Sequence, residues 1–211
     1  MPVPERIGLY HITHIDNLAG IIRAGGLLAH NGIEDGYTDI AHQTIQTRRN
    51  QTPVLCPPGG ALHDYVPFYF CRRSPMLYAI HKDNIETYRG GQQSIVYLVS
   101  ELVRVQQAGL TFVFTDGHAI MQFSEFYNDV ADLDKIDWPL MQAKLWTDTD
   151  EDPDRKRRRQ AEFLLHRRCP WSLISGIGVF DEAMQLRVEG LLNSLKPEHL
   201  PRVKVLRDWY Y

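Results

Sequence analysis

Residues 161–165, AEFLL, set one carboxylate inside an apolar run. Side chains alternate along a strand, so Ala161, Phe163 and Leu165 face one way and Glu162 and Leu164 the other. Burying a glutamate among such neighbours is costly unless it is paired or used in chemistry. Five cations stand directly upstream in RKRRR, residues 155–159, and suit a polyanionic substrate. A lone carboxylate that stabilises a developing cation, beside a phosphate-binding surface, is what chemistry on a nucleotide sugar requires. A plain ion pair between Glu162 and one of residues 155–159 explains the segment equally well on its own.

The 211 residues fit one domain, and an apolar content of 44% is enough for a core. The net charge of −3 gives no global nucleic-acid signature. Charge is uneven, however: 155–159 and 167–168 are basic, and DTDEDPD at 148–154 is acidic. The acidic run reads most simply as an exposed loop, with shielding of the basic patch as the weaker alternative. Cys56, Cys71 and Cys169 form no CxxC or Cys/His pattern, so a reducing cytoplasm is expected and no metal is. MPVPERIG lacks the apolar core of a signal peptide, and no apolar run approaches membrane-spanning length; no membrane association is expected.

Strands are expected at 7–13, 65–70, 94–100, 110–115, 161–165, 176–180 and 203–211. A helix should follow Asp16 or Asn17 and stop at Gly25-Gly26, and a second should start at Ser74-Pro75. A short helix is expected around 123–130. The clearest helix follows Asp181, with Met184, Val188, Leu191, Leu192 and Leu195 on one face. Residues 29–64 and 116–160 show little periodicity and read as long functional loops. The sum is an α+β fold, and no GxGxxG follows a strand, which argues against a Rossmann fold.

His11 and Thr13 share one side of the first strand and together can hold a ribose diol or a carboxamide; a satisfied core histidine is the blander reading. Arg48 and Arg49 in QTIQTRR can clamp a pyrophosphate or a base, or be a solvated pair. Phe68 and Phe70 share a face opposite Tyr69, which leaves Tyr69 for a ligand.

Four segments occur together: LYHITHIDNLAGIIRAGGL (9–27), TIQTRR (44–49), DYVPFYFCRRSPMLY (64–78) and AEFLLHRRCPWSLISGIGV (161–179). In these, and in their order, the chain resembles the DarT family of DNA ADP-ribosyltransferase toxins. The resemblance implies an ADP-ribosyltransferase-like split β-sheet core with flanking helices and long substrate loops, as a single domain over 1–211. It implies NAD as co-substrate, transfer of ADP-ribose to a base of single-stranded DNA with thymidine favoured, and a bacterial toxin countered by a macrodomain antitoxin of the DarG type. The NAD-binding loop would lie at about 29–64 and the acceptor loop at about 116–160.

Carried over residue by residue, His11, Ile12 and Thr13 would hold the nicotinamide end, and Gly20 and Leu28 would approach the cofactor. Tyr69 and Met76 would line the site, Tyr69 toward cofactor and Met76 toward DNA. Arg49 would meet the acceptor base, with Arg48 as the alternative register, and Glu162 would be the catalytic glutamate. In the second loop Phe123, Phe126, Tyr127 and Trp138 would stack on unpaired bases, and Arg155, Arg157 and Arg158 would meet phosphates. The blander readings are a satellite core and a solvated charge run.

The implied chemistry suits these residues. Breaking the bond to nicotinamide develops positive charge on the ribose, which a carboxylate stabilises. A guanidinium is a poor base, so Arg49 is expected to stabilise the deprotonated thymine. A single strand is needed because the reactive ring nitrogen of a paired thymine is hidden. Competing readings are a guanine, RNA or protein acceptor, a phosphotransferase on tRNA ends, a non-catalytic nucleic-acid-binding domain, and a purely structural protein. The phosphotransferases need no catalytic glutamate, so Glu162 speaks against them.

Overall fold

The computed structural model describes residues 2–33 and 36–211. The strands are β1 (Gly8–His14), β2 (Gly26–Leu28), β3 (Tyr65–Tyr69), β4 (Ile95–Glu101), β5 (Phe112–Thr115), β6 (Phe126–Tyr127), β7 (Glu162–His166), β8 (Arg168–Pro170), β9 (Gly176–Val179) and β10 (Arg202–Val205). The α-helices are α1 (Leu18–Arg23), α2 (Gln43–Gln51), α3 (Pro75–His81), α4 (Leu102–Gln107), α5 (Trp138–Gln142), α6 (Arg155–Arg158) and α7 (Glu182–Leu195). Eight strands form one sheet in the order β10-β9-β4-β1-β3-β7-β5-β6, and β2 pairs with β8 apart from it. Among the described residues, only β9 and β10 run parallel.

The sheet opens between β1 and β3. β1 pairs with β4 along its whole length, but meets β3 only at Tyr10↔Tyr69. Past that point the Pro67 carbonyl, which points toward β1, is taken by the His11 ring at 2.8 Å. A strand residue's N–H and C=O point to the same side. The missing N–H of Pro67 therefore falls in the split, where no ladder bond is lost.

Strand alternation sorts the core as expected. Phe163 and Leu165 of β7 join a large cluster with Phe68, Phe114 and Leu98, while Leu164 packs on the opposite face against Val54, Leu62 and Tyr65. Helix α7 covers the large cluster with Val188 and Leu192 buried and Met184, Leu191 and Leu195 packed beside them. Asp181 caps it by accepting the Met184 N–H at 2.9 Å, and Ser74 caps α3 by accepting the Leu77 N–H at 3.2 Å. Gly26 has φ +145°, and a Cβ there would collide with the Cys169 carbonyl of β8.

Several expectations change. Residues 43–51, expected as part of a loop, form a helix; α2 has a single apolar residue, Ile45, packed half-buried on a small cluster, so it leaves no apolar period to read. The helix expected around 123–130 is instead strand β6 followed by a 3-10 turn, Val130–Lys135, capped by Asp129. Trp138, assigned above to base stacking, is a core residue at 4% exposure whose ring N–H is held by the Leu133 carbonyl. The closing strand is confined to β10, and Arg207–Trp209 is a 3-10 turn. Asn17 does not cap α1; its side chain bonds Thr13 Oγ1 at 3.0 Å and both backbone groups of Thr38, tying β1 to the following loop.

Candidate active site

Glu162 opens β7, opposite Tyr69 of β3, and is 4% exposed. Its carboxylate is gripped from two sides. Arg49 Nη1, from α2, donates to Oε2 at 2.8 Å. The Ala119 N–H donates to Oε1 at 3.1 Å, and His118 Nδ1 lies 3.5 Å from the same oxygen. Thr115 locks the backbone: its hydroxyl donates to the Gly117 carbonyl at 2.6 Å and accepts the Glu162 N–H at 3.2 Å. Burial alone would push the Glu162 pKa up, but the charge and hydrogen bond of Arg49, with the His118 ring close by, outweigh it and hold the carboxyl at about 2. Glu162 is therefore an anion at neutral pH, and its partner is Arg49 rather than a member of 155–159.

A cleft of about 1280 Å³ opens over this pair. It brings together His11, Ile12, Thr13, Gly20 and Leu28 from the first segment with Arg49, Tyr69, Met76 and Glu162. The Tyr69 hydroxyl rests 3.6 Å from the Met76 sulfur, and burial, reinforced by Glu162, raises its pKa far above the ordinary value. Burial keeps His11 neutral, and its Nδ1 must donate to the Pro67 carbonyl. Its Nε2 is then an acceptor. Arg48 points elsewhere, donating to the Ile120 carbonyl at 3.0 Å.

The other residues expected at the site lie apart from the cleft lining. Phe123 is 80% exposed, and Tyr127 is stacked on Phe114 with its hydroxyl on Glu125. Phe126 is partly buried against the Leu164 cluster. The basic cluster is not a solvated run. Arg158 pairs with Asp137, Asp152 and Asp154, Arg157 with Asp154 and Asp116, and Arg155 with Asp152 and the Leu145 carbonyl. Asp152 and Asp154 of the acidic stretch, with Asp116 and Asp137 from outside it, thus pair with the cations expected to meet phosphate, in the direction of the weaker reading of that stretch.

Sequence reasoning missed His118, which it left inside the expected loop at 116–160. It also missed a polar chain along the cleft. His30 and His63 stack in parallel with centroids 4.1 Å apart, His63 Nε2 meets Gln46 Oε1 at 3.1 Å, and Tyr37 meets His30 at 3.1 Å. Burial, with His30 and Arg49 nearby, lowers the His63 pKa to about 4. The expected NAD-binding loop, 29–64, includes Glu34 and Asp35, which lie outside the described residues.

A family model described as ssDNA thymidine ADP-ribosyltransferase, DarT, matches residues 10–211. The chain belongs to the DarT family. A DNA ADP-ribosyl transferase of Thermus sp. (strain 2.9) is 47% identical over 208 residues, covering 99% of this chain and 98% of the relative. The solved structure of Thermus sp. 2.9 DarT in complex with ADP-ribosylated ssDNA superposes with a TM-score of 0.95 at 46% identity, over 100% of this chain and 99% of that one. The same DarT in complex with NAD+ gives a TM-score of 0.91 at 44% identity, with 100% of both chains covered. These matches bear out the resemblance read from the four segments and the ADP-ribosyltransferase-like fold. Among the described residues, no helix is long and apolar enough to cross a membrane.

Proposed function

We propose that this DarT family member transfers ADP-ribose from NAD to thymidine in single-stranded DNA. The observation that carries the reading is the ionised Glu162, held by Arg49 on a sheet strand beneath a two-walled cleft. The cleft exceeds the roughly 300–1,000 Å³ of ordinary small-molecule pockets, which leaves room for a dinucleotide and an acceptor base together. The Arg49 Nη2 is buried without a partner, a donor set aside for an incoming acceptor.

NAD supplies the activated ribose and the nicotinamide leaving group. His11 Nε2, left as an acceptor, receives a hydrogen bond from a ribose hydroxyl, and Thr13, fixed by Asn17, faces the nicotinamide end with Ile12. Gly20 leaves open space where a side chain would stand, which lets cofactor approach α1 and Leu28. Glu162 faces the positive charge that develops as the nicotinamide bond breaks. Arg49, through its free Nη2, stabilises thymine once its ring proton is lost to solvent; its guanidinium stays protonated throughout. Tyr69 and Met76 pack the wall beside the reacting sugar.

Family membership supports a bacterial cytoplasmic toxin restrained by a macrodomain antitoxin as part of this reading. Mass spectrometry of a mixed-sequence single-stranded DNA pool, incubated with protein and NAD, tests the chemistry. A mass gain of one ADP-ribose on thymidine, absent with Glu162→Ala, is expected. NAD consumption without a DNA adduct would redirect the reading to RNA or protein, and intact NAD would leave a binding module. Loss of the adduct on adding a macrodomain hydrolase, with restored growth of expressing cells, tests the antitoxin partnership.

A further inference from the structure

Arg49 reaches Glu162 from the cleft, but the second grip belongs to the turn at 116–124, and one guanidinium braces that turn. Arg157 Nη1 donates to Asp116 Oδ1 at 3.1 Å and to Ser124 Oγ at 3.2 Å, so it joins the two ends of the turn. The Arg157 carbonyl accepts the His118 N–H at 3.0 Å. Its Nε and Nη2 form a fork on Asp154 at 2.8 and 2.7 Å, which fixes the plane of the head group. Gly117 lies against that plane, and a Cβ there would run into the guanidinium. The side chain is 14% exposed and takes no part in lining the cleft.

We propose that Arg157 is a positioning residue for Glu162: it fixes the 116–124 turn so that the Ala119 N–H and the His118 ring hold the carboxylate in its working place. The inference rests on the transfer reaction proposed above. The chain of contacts is continuous, from Asp154 through Arg157 to Asp116, His118 and Ala119, and from there to Glu162 Oε1. Thr115 closes it from the other end through Gly117 and the Glu162 N–H. Arginine is required because a planar fork bridges Asp154 and the turn at once; lysine keeps the charge but presents a single point donor. The sequence placed this residue among phosphate ligands, whereas its donors face inward onto the turn that serves the carboxylate.

The test compares Arg157→Lys and Gly117→Ala with wild type and Glu162→Gln, using NAD and a single-stranded oligonucleotide. In Arg157→Lys kcat should fall about 10²-fold, the cost of roughly 1 Å of misplacement. KM for NAD and for DNA should stay within about threefold, because neither binding surface is touched. The Glu162 titration, followed by NMR of labelled glutamate, should move up from about 2 as the Ala119 and His118 contacts loosen. Gly117→Ala displaces the head group while keeping every Arg157 donor, so it carries the test if Arg157→Lys does not fold. Wild-type kcat in both variants would overturn the proposal, and so would a raised KM for DNA at unchanged kcat, the mark of a phosphate ligand. A wild-type protein that leaves NAD and DNA untouched would instead sink the proposed reaction, and the Glu162 titration would still decide the positioning role.

Discussion

Arg49 and Glu162 stand 113 residues apart in the chain and 2.8 Å apart in space, both withdrawn from water. A pair so placed is poorly explained as a source of stability, because desolvating two charges cancels most of their attraction. Breaking it is another matter, since either partner left alone is a buried, uncompensated charge.

Replacing Glu162 with glutamine keeps the shape and removes the charge. Transfer should fall by at least about 10²–10³-fold, the usual scale for losing an electrostatic stabiliser. The fold should lose about 3–5 kcal/mol because Arg49 is stranded. Oligonucleotide turnover and thermal melting, measured on one preparation, check both; full turnover in the variant would remove Glu162 from catalysis.

The pH dependence of that stability has a definite sign. The Glu162 pKa is lowered from 4.5 to about 2 on folding. Its contribution is present above the unfolded value and fades as pH falls from 4.5 through about 2. The melting difference between wild type and Glu162→Gln should therefore shrink across that window and nowhere above it.

His63 gives a second, separate window. Its pKa falls from 6.5 to about 4 on folding, so its neutral form is the folded one. The stabilisation it reflects is complete above 6.5 and fades as pH drops through about 4. A His63→Gln variant should melt with a flatter pH profile than wild type between those limits; parallel profiles would show that the stacked His30 ring does not oppose protonation.

Arg49→Lys keeps the ion pair and removes the spare Nη2 donor. NAD affinity, read by calorimetry, should hold within about threefold while base modification drops by about 10²-fold. An equal drop in both would move Arg49 to a cofactor role.

Neutralising Arg158 should destabilise the protein without altering the salt dependence of DNA binding, because its donors are held by Asp137, Asp152 and Asp154. A cation that did neutralise a phosphate would, once removed, lower the salt slope by about 0.7 for a single strand. Filter binding across a salt series reads the answer directly.

The strands were legible because their apolar alternation is strong; β3, β4 and β7 lie where the residues put them. His11, Thr13, Arg49 and Glu162 were legible as residues, and the structure adds that one cleft holds them. Helix α2 was not legible, since Ile45 is its one apolar residue and it is held mainly by polar ties such as Arg48 to Ile120 and Arg49 to Glu162. His118 was hidden because a turn residue shows its partner only when the turn folds onto β7. The paired state of the basic cluster did leave a trace: Asp152 and Asp154 stand three and four residues before Arg155, Arg157 and Arg158, the spacing at which side chains meet on a helix.

Helix α2 carries one half of the central pair and yet inserts little into the core: Ile45 and Arg49 are only half-buried. The sheet that carries Glu162 is locked by its core, whereas the element that presents Arg49 rests on a small satellite cluster through Ile45 and is otherwise held by polar ties. A shift of that helix would carry the Arg49 clamp with it and slacken the hold on the Glu162 carboxylate at the same stroke.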